Sequence, residues 1–165
     1  MNFTDIDEIK KNGFIGFIKM DDLFRDISII PNIKGVYLIL YLDNRTTNFL
    51  TIGSGGHFKG KRPNVSLTEL ESNWVDNTIV VYIGKAGSDS SRATLRSRLK
   101  QYFGFGQGKN IGHYGGRFIW QLKSSKDLIV CWKSLPTEDP RTIESNLIRQ
   151  FVSTFGHRPF ANLVD

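Results

Sequence analysis

GVYLILYL, residues 35–42, is apolar at nearly every position and dense in β-branched and aromatic residues. A half-exposed strand alternates apolar and polar side chains. A run without alternation reads as a strand covered on both faces, and therefore as a central strand of a sheet. Downstream, TIVVYIG at 78–84 has the same character and supplies a second strand, while FIWQL at 118–122 and DLIVCW within 127–132 read as two more. A helix over about 94–103 carries the apolar stripe Leu95, Leu99 and Tyr102. The last helix is announced by Asp139 as N-cap with Pro140 at its first position, and it ends near Phe155 where Gly156 stops it. The fold class that follows is α/β: two helices packed on a small sheet.

The chain of 165 residues is long enough for one domain with a real core and short for two. Residues 1–34 read as a short amphipathic lead-in, with MDDLFRD a helical turn or two and Pro31-Asn32 a break before the first strong strand. Residues 35–165 form the domain proper. Asp43-Asn44 turns the chain into 45–77, a stretch rich in Gly, Ser, Asn and Lys whose one helix-like part is LTELESNW; it reads as an insertion. Twenty-two Lys and Arg against 16 Asp and Glu leave a formal charge of +6, which favours a polyanion such as nucleic acid or an anionic membrane. No apolar run approaches a membrane span, and the opening MNFTDIDEIKKNGF carries acids where a signal peptide needs a basic and then an apolar stretch. A membrane partner is therefore not expected. The single Cys131, in an apolar run, excludes an internal disulfide and suits a reducing cytoplasm.

Several residues stand where a core would not want them. Ile148, Phe151, Val152 and Phe155 follow Glu144 at helical spacing, which puts that carboxylate in line with the apolar face. A buried anion needs a metal ion, a cation or backbone donors, and a salt bridge at the edge of the stripe is the competing reading. Arg98 leans toward the core side of its helix, between Leu95 and Tyr102. Arg92, Arg96 and Lys100 recur every four residues on another face, where they can follow a phosphate backbone or simply face solvent. Tyr37 and Tyr82 sit in aliphatic strands and need partners for their hydroxyls. Lys85, just past Gly84, is expected at a strand end beside a cleft. GFGQGKN lacks the spacer and the Ser or Thr of a phosphate loop and is rejected as one, and His57, His113, His157 and Cys131 have no zinc-site spacing.

Taken together, GVY at 35–37, YIGKA at 82–86, LRSRL at 95–99, IESNLI around Glu144 and FANL ending near Asn162 form an ordered set, and in it the chain resembles the GIY-YIG nuclease superfamily. That superfamily includes homing endonuclease domains, the incision domain of the bacterial excision-repair nuclease and several type II restriction enzymes. The resemblance implies a central antiparallel sheet flanked by helices and a metal-dependent DNA endonuclease. It places Tyr37, Tyr82, Arg98, Glu144 and Asn162 in the catalytic site, with Glu144 holding Mg²⁺ or Mn²⁺. Tyr102 occupies a position that is histidine in some members. On this reading Tyr37 takes a proton from the attacking water with help from Lys85, Tyr82 positions water or phosphate, Arg98 stabilises the transition state, and His113 or Tyr102 is a second proton carrier. The separation of 45 positions from Tyr37 to Tyr82 exceeds a simple hairpin, and restriction enzymes of the superfamily enlarge the same region. Lys59, Lys61 and Arg62 in that insertion, with Lys109 and Arg117 of the glycine-rich loop and HYGGR, are expected on DNA beside Arg92, Arg96 and Lys100. The expected partner is DNA, double-stranded before single-stranded, cut by a monomer or homodimer in a restriction-like or structure-selective manner. A nucleic-acid-binding module that keeps the fold without cutting is the alternative.

Overall fold

The structure is a computed structural model, and it describes residues 1–43, 47–88 and 90–163. Its strands are β1 (Ile15–Lys19), β2 (Gly35–Leu40), β3 (Val80–Ala86) and β4 (Ile129–Ser134); its α-helices are α1 (Ile6–Lys11), α2 (Met20–Arg25), α3 (Leu67–Asn73), α4 (Leu95–Gly106) and α5 (Pro140–Phe155). All six residues of β2 are buried, as an unalternating apolar run requires, and β2 pairs antiparallel with β3 on one side and β4 on the other. The sheet order is β1-β4-β2-β3, so the molecule is α/β with a four-stranded antiparallel sheet.

The pleat sends alternate residues of β2 to opposite layers. Tyr37 and Ile39, with Tyr82, Ala86 and Trp132, meet Leu95, Leu99, Tyr102 and Phe103 of α4. Val36, Leu38 and Leu40, with Ile83 and Cys131, meet Ile9 of α1 and Leu147, Ile148 and Phe151 of α5. Helices therefore flank both faces. Phe151 is fully buried with its ring 5.1 Å from Phe3, and a side chain so placed contributes roughly 2–3 kcal/mol. In β3 the pairing steps from Ile39↔Tyr82 to Leu40↔Val80, so Val81 is the extra residue of a bulge and packs in the same layer as Tyr82.

The helix ends follow their caps. Thr94 and Ser97 form a reciprocal capping box at the start of α4 (Oγ1 accepting from Ser97 N at 3.2 Å, Thr94 N donating to Ser97 Oγ at 2.8 Å). Asp139 accepts from Arg141 N and Thr142 N, Pro140 opens α5, and Gly156 closes it at φ +75°. The α4 helix runs three residues past the expected end. It tolerates Gly106 because the Trp120 ring lies against it: a Cβ there would meet the ring at 2.4 Å.

Three expectations change. FIWQL is not a strand, because Tyr114–Gln121 forms two 3-10 turns joined by a kink at Gly116, the second of which drives Phe118, Ile119 and Trp120 into the core; a short apolar run fits a buried helix as well as a strand. The second strand lies two residues further on, so Lys85 is inside β3 rather than beyond it. Residues 1–34, read as a lead-in, supply the edge strand β1 and core residues Phe3, Ile9 and Phe14.

The insertion packs on the body. Buried Gln121 donates to the carbonyls of Leu50 and Val65, both at 3.0 Å, and accepts from Val65 N at 2.9 Å. LTELESNW supplies α3, capped by Ser66. Asn44 of the expected turn, and residues 45 and 46 at the start of the insertion, lie outside the described residues. No helix among the described residues is long and apolar enough to cross a membrane.

Candidate active site

Tyr37 pairs directly with Gly84 across β2 and β3, and its ring crosses the space a side chain at 84 would fill: a Cβ there would sit 2.4 Å from Tyr37 Cζ and 2.6 Å from its hydroxyl. The glycine is thus required by close approach. The Tyr82 ring lies 6.0 Å from that of Tyr37 and stacks on Tyr102 at 5.7 Å. A side-chain hydrogen bond links the Tyr37 and Tyr82 hydroxyls. Burial above all pushes Tyr37 well above the usual 10, and that hydrogen bond adds to it; burial and the charge of Glu144 push Tyr82 up to about 12, against the pull of Arg98 and of the same hydrogen bond.

These groups line one cleft of about 520 Å³ at the free edge of β3, together with Lys85, Ser88, Ser91, Gly115, Arg141, Ser145 and Asn162. Four elements meet there. β2 brings Tyr37, β3 brings Tyr82 and Lys85, α4 brings half-buried Arg98, and α5 brings half-buried Glu144. Glu144 is the one carboxylate among the described residues of the lining, and no group of three His, Cys, Asp or Glu that could hold a metal occurs among the described residues. A single hard oxygen ligand suits Mg²⁺, which keeps several waters and completes its shell with substrate phosphate.

Other expected residues take different places. Lys85 pairs with Val36, so it points to the α5 layer, opposite Tyr82; Arg98 is the cation whose charge reaches both phenols. Tyr102 is fully buried outside the cleft lining, donates to the Gly116 carbonyl at 3.0 Å, and has its pKa driven well above 10 by burial. It supports Tyr82 by stacking. His113 is also buried, its ring 4.4 Å from Tyr102; neither ring nitrogen has a partner among the described residues, and burial, then the charge of Arg98, lowers its pKa to about 3. It stays neutral at physiological pH and is a poor proton carrier. Both amide atoms of Asn162 are engaged by the Ile83 backbone (Oδ1 accepting at 2.9 Å, Nδ2 donating at 2.7 Å), so Asn162 clamps the chain end onto the open edge of β3.

The cations divide in the same way. Arg96 donates to the carbonyls of Ser28 and Ile30, both at 2.7 Å, and ties α4 to the N-terminal segment, while Arg92 precedes α4, so the row of three is not one helical stripe. Exposed Lys100 and Lys109 remain on the surface. The insertion forms a tight turn at Phe58–Lys59–Gly60–Lys61, with φ +51° at Lys59 and +72° at Gly60. The turn docks on HYGGR: the Tyr114 hydroxyl donates to the Arg62 carbonyl at 3.1 Å, Lys61 lies 5.6 Å from the Tyr114 ring and Arg117 stacks on it at 4.2 Å. Two separate sequence features thus form one basic surface, and Gly115 joins it to the cleft. The sequence reading missed Tyr114, Arg141 and Ser145; for the last two the signal was their position three before and one after Glu144 on the same helix.

Compared with protein-family models, with curated proteins and with solved structures, the chain finds no match.

Proposed function

We propose that the chain is a Mg²⁺- or Mn²⁺-dependent endonuclease of the GIY-YIG type that hydrolyses phosphodiester bonds of DNA in the cytoplasm. The observation that carries this reading is the convergence of Tyr37, Tyr82, Arg98 and Glu144, drawn from four elements, on one cleft beside a basic surface. Glu144 would hold the divalent ion, which when bound neutralises phosphate charge and stabilises the leaving oxygen. Arg98 contributes a preorganised cation to the phosphorane-like transition state.

The two phenols cannot serve as ready-made bases. With a pKa of about 12, Tyr82 is ionised in only about one molecule in 10⁵ at pH 7. A relay serves instead, with the hydroxyl protons turned so that Tyr37 donates to Tyr82. That arrangement leaves the Tyr82 oxygen a second lone pair for the attacking water and its own proton for a non-bridging phosphate oxygen. As the water oxygen bonds to phosphorus and the opposite P–O bond breaks, the water proton passes to Tyr82 and the Tyr82 proton passes to phosphate. No free phenolate forms.

The test is nicking of supercoiled plasmid with Mg²⁺ or Mn²⁺ and with chelator, for the wild type beside Glu144→Gln, Tyr82→Phe and Arg98→Ala. Metal-dependent nicking, reduced about 10²-fold or more in each variant at retained DNA affinity, is expected. DNA binding without nicking under any divalent metal identifies a non-cutting binding module and overturns the enzyme.

A further inference from the structure

The outer face of α5 carries a second groove that the catalytic reading does not use. It has a volume of about 470 Å³ and is lined by Ser145, Ile148, Arg149, Val152 and Arg158. Ser145 and Ile148 also line the catalytic cleft, so the two depressions adjoin each other on α5. At its cleft end stands Arg141. Arg141, Ser145 and Arg149 follow each other at four-residue spacing, which puts them in one row, with successive members about 6 Å apart along the helix. All three are exposed, and no carboxylate occurs among the described residues that line the outer groove.

Resting on the nuclease reading, we infer that these adjoining depressions form the track for the substrate strand beyond the cut: phosphates flanking the scissile one lie along the Arg141–Ser145–Arg149 row of α5. The charge is complementary, and the row begins one helical turn from Glu144, so a backbone whose scissile phosphate is held at Glu144 and Arg98 passes directly onto it. Guanidinium groups give bidentate, charge-assisted bonds to phosphate, and a hydroxyl between them adds a neutral donor. Val152 and Ile148 give the groove an apolar floor and make no base-specific contact, so the track holds the strand without reading its sequence. The substrate is thereby gripped on two sides of the cleft, by α5 on one and by the turn at 58–61 with Arg117 on the other.

The experiment measures binding of a fluorescent duplex by anisotropy against salt, in chelator so that no cleavage occurs, for the wild type, Arg141→Gln/Arg149→Gln and Arg141→Lys/Arg149→Lys. A plasmid-nicking assay of the wild type runs beside it. Each phosphate that the protein no longer neutralises takes about 0.9 off the log–log salt slope on duplex DNA and weakens binding on the order of tenfold at low salt. The double Gln variant should therefore lose close to two from the slope, with an unchanged melting temperature because both arginines are exposed; the double Lys variant should keep the slope. If the wild type binds and nicks but the double Gln variant has the same affinity and slope, the track is overturned and the nuclease reading stands. If the wild type neither binds nor nicks DNA, the nuclease reading fails and the track with it.

Discussion

At Gly84 a missing side chain decides where a hydroxyl points. The Tyr37 ring occupies the volume that any Cβ at 84 would need, so Gly84→Ala must move the tyrosine or the strand, at a cost typical of overpacking, about 1–3 kcal/mol. The expected result is a modest fall in melting temperature with nicking reduced as far as by Tyr37→Phe, while DNA affinity holds. Nicking at the wild-type rate would show that Tyr37 acts through no fixed hydroxyl position. His113 offers a test by pH. Its folded pKa of about 3 lies below the unfolded value of about 6.5, so the unfolded chain takes up a proton that the folded one refuses. The stability it confers is complete above about pH 6.5 and is lost as pH falls toward 3. Between pH 7.5 and 5 the wild type should lose about 2 kcal/mol more than His113→Leu in denaturant titrations. Equal losses would mean that His113 is hydrated or charged in the folded protein. Nicking near pH 7 that survives in His113→Leu would confirm that it carries no proton in the reaction.

Buried polar residues hold elements to one another alongside the apolar packing. Gln121 sits at the end of a 3-10 helix with its amide buried, and it closes three bonds to the insertion. Gln121→Leu keeps the bulk and strands a donor and two acceptors; each buried group left unpaired costs about 1–3 kcal/mol, less where the insertion lifts and lets in water. Lower stability by a few kcal/mol, together with faster proteolytic nicking within 47–66, is expected. A variant as stable and as resistant as wild type would show the insertion held by other interactions. The α5 helix illustrates how legible a terminus can be: its cap, first proline and closing glycine all lie where the sequence puts them, because capping is local chemistry. The 3-10 helix shows the opposite. Its apolar residues carry no period that separates helix from strand, and its course depends on the volume left beneath Trp120 and beside Gly106.

For the whole molecule, the arrangement predicts how DNA affinity divides. The turn at 58–61 and Arg117 form one surface through Tyr114, away from Glu144 and Arg98 in sequence and adjoining the cleft in space. Neutralising Lys59, Lys61 and Arg62 together should lower duplex affinity and flatten the salt slope by about 0.9 for every phosphate these cations hold. An unchanged slope would leave this surface as a solvated connection and place recognition on α5 or on Lys100 and Lys109.

GVYLILYL and TIVVYIG declared two strands, Asp139-Pro140 and Gly156 bounded the last helix, and the misplaced polarity of Glu144, Arg98, Tyr37 and Tyr82 marked them as candidates, because burial pattern, capping and residue chemistry are properties of short segments. The sheet order was decided by the tertiary structure, which drew residues 15–19 in as an edge strand across more than 100 positions of chain. The same packing separated Lys85 from Tyr82 across the sheet, committed Arg96 and Asn162 to backbone groups, buried Tyr102 and His113, and joined Lys61 to Tyr114. Those outcomes depend on which side chains share a layer and what water is excluded from it, and such conditions exist only once distant segments have closed on one another.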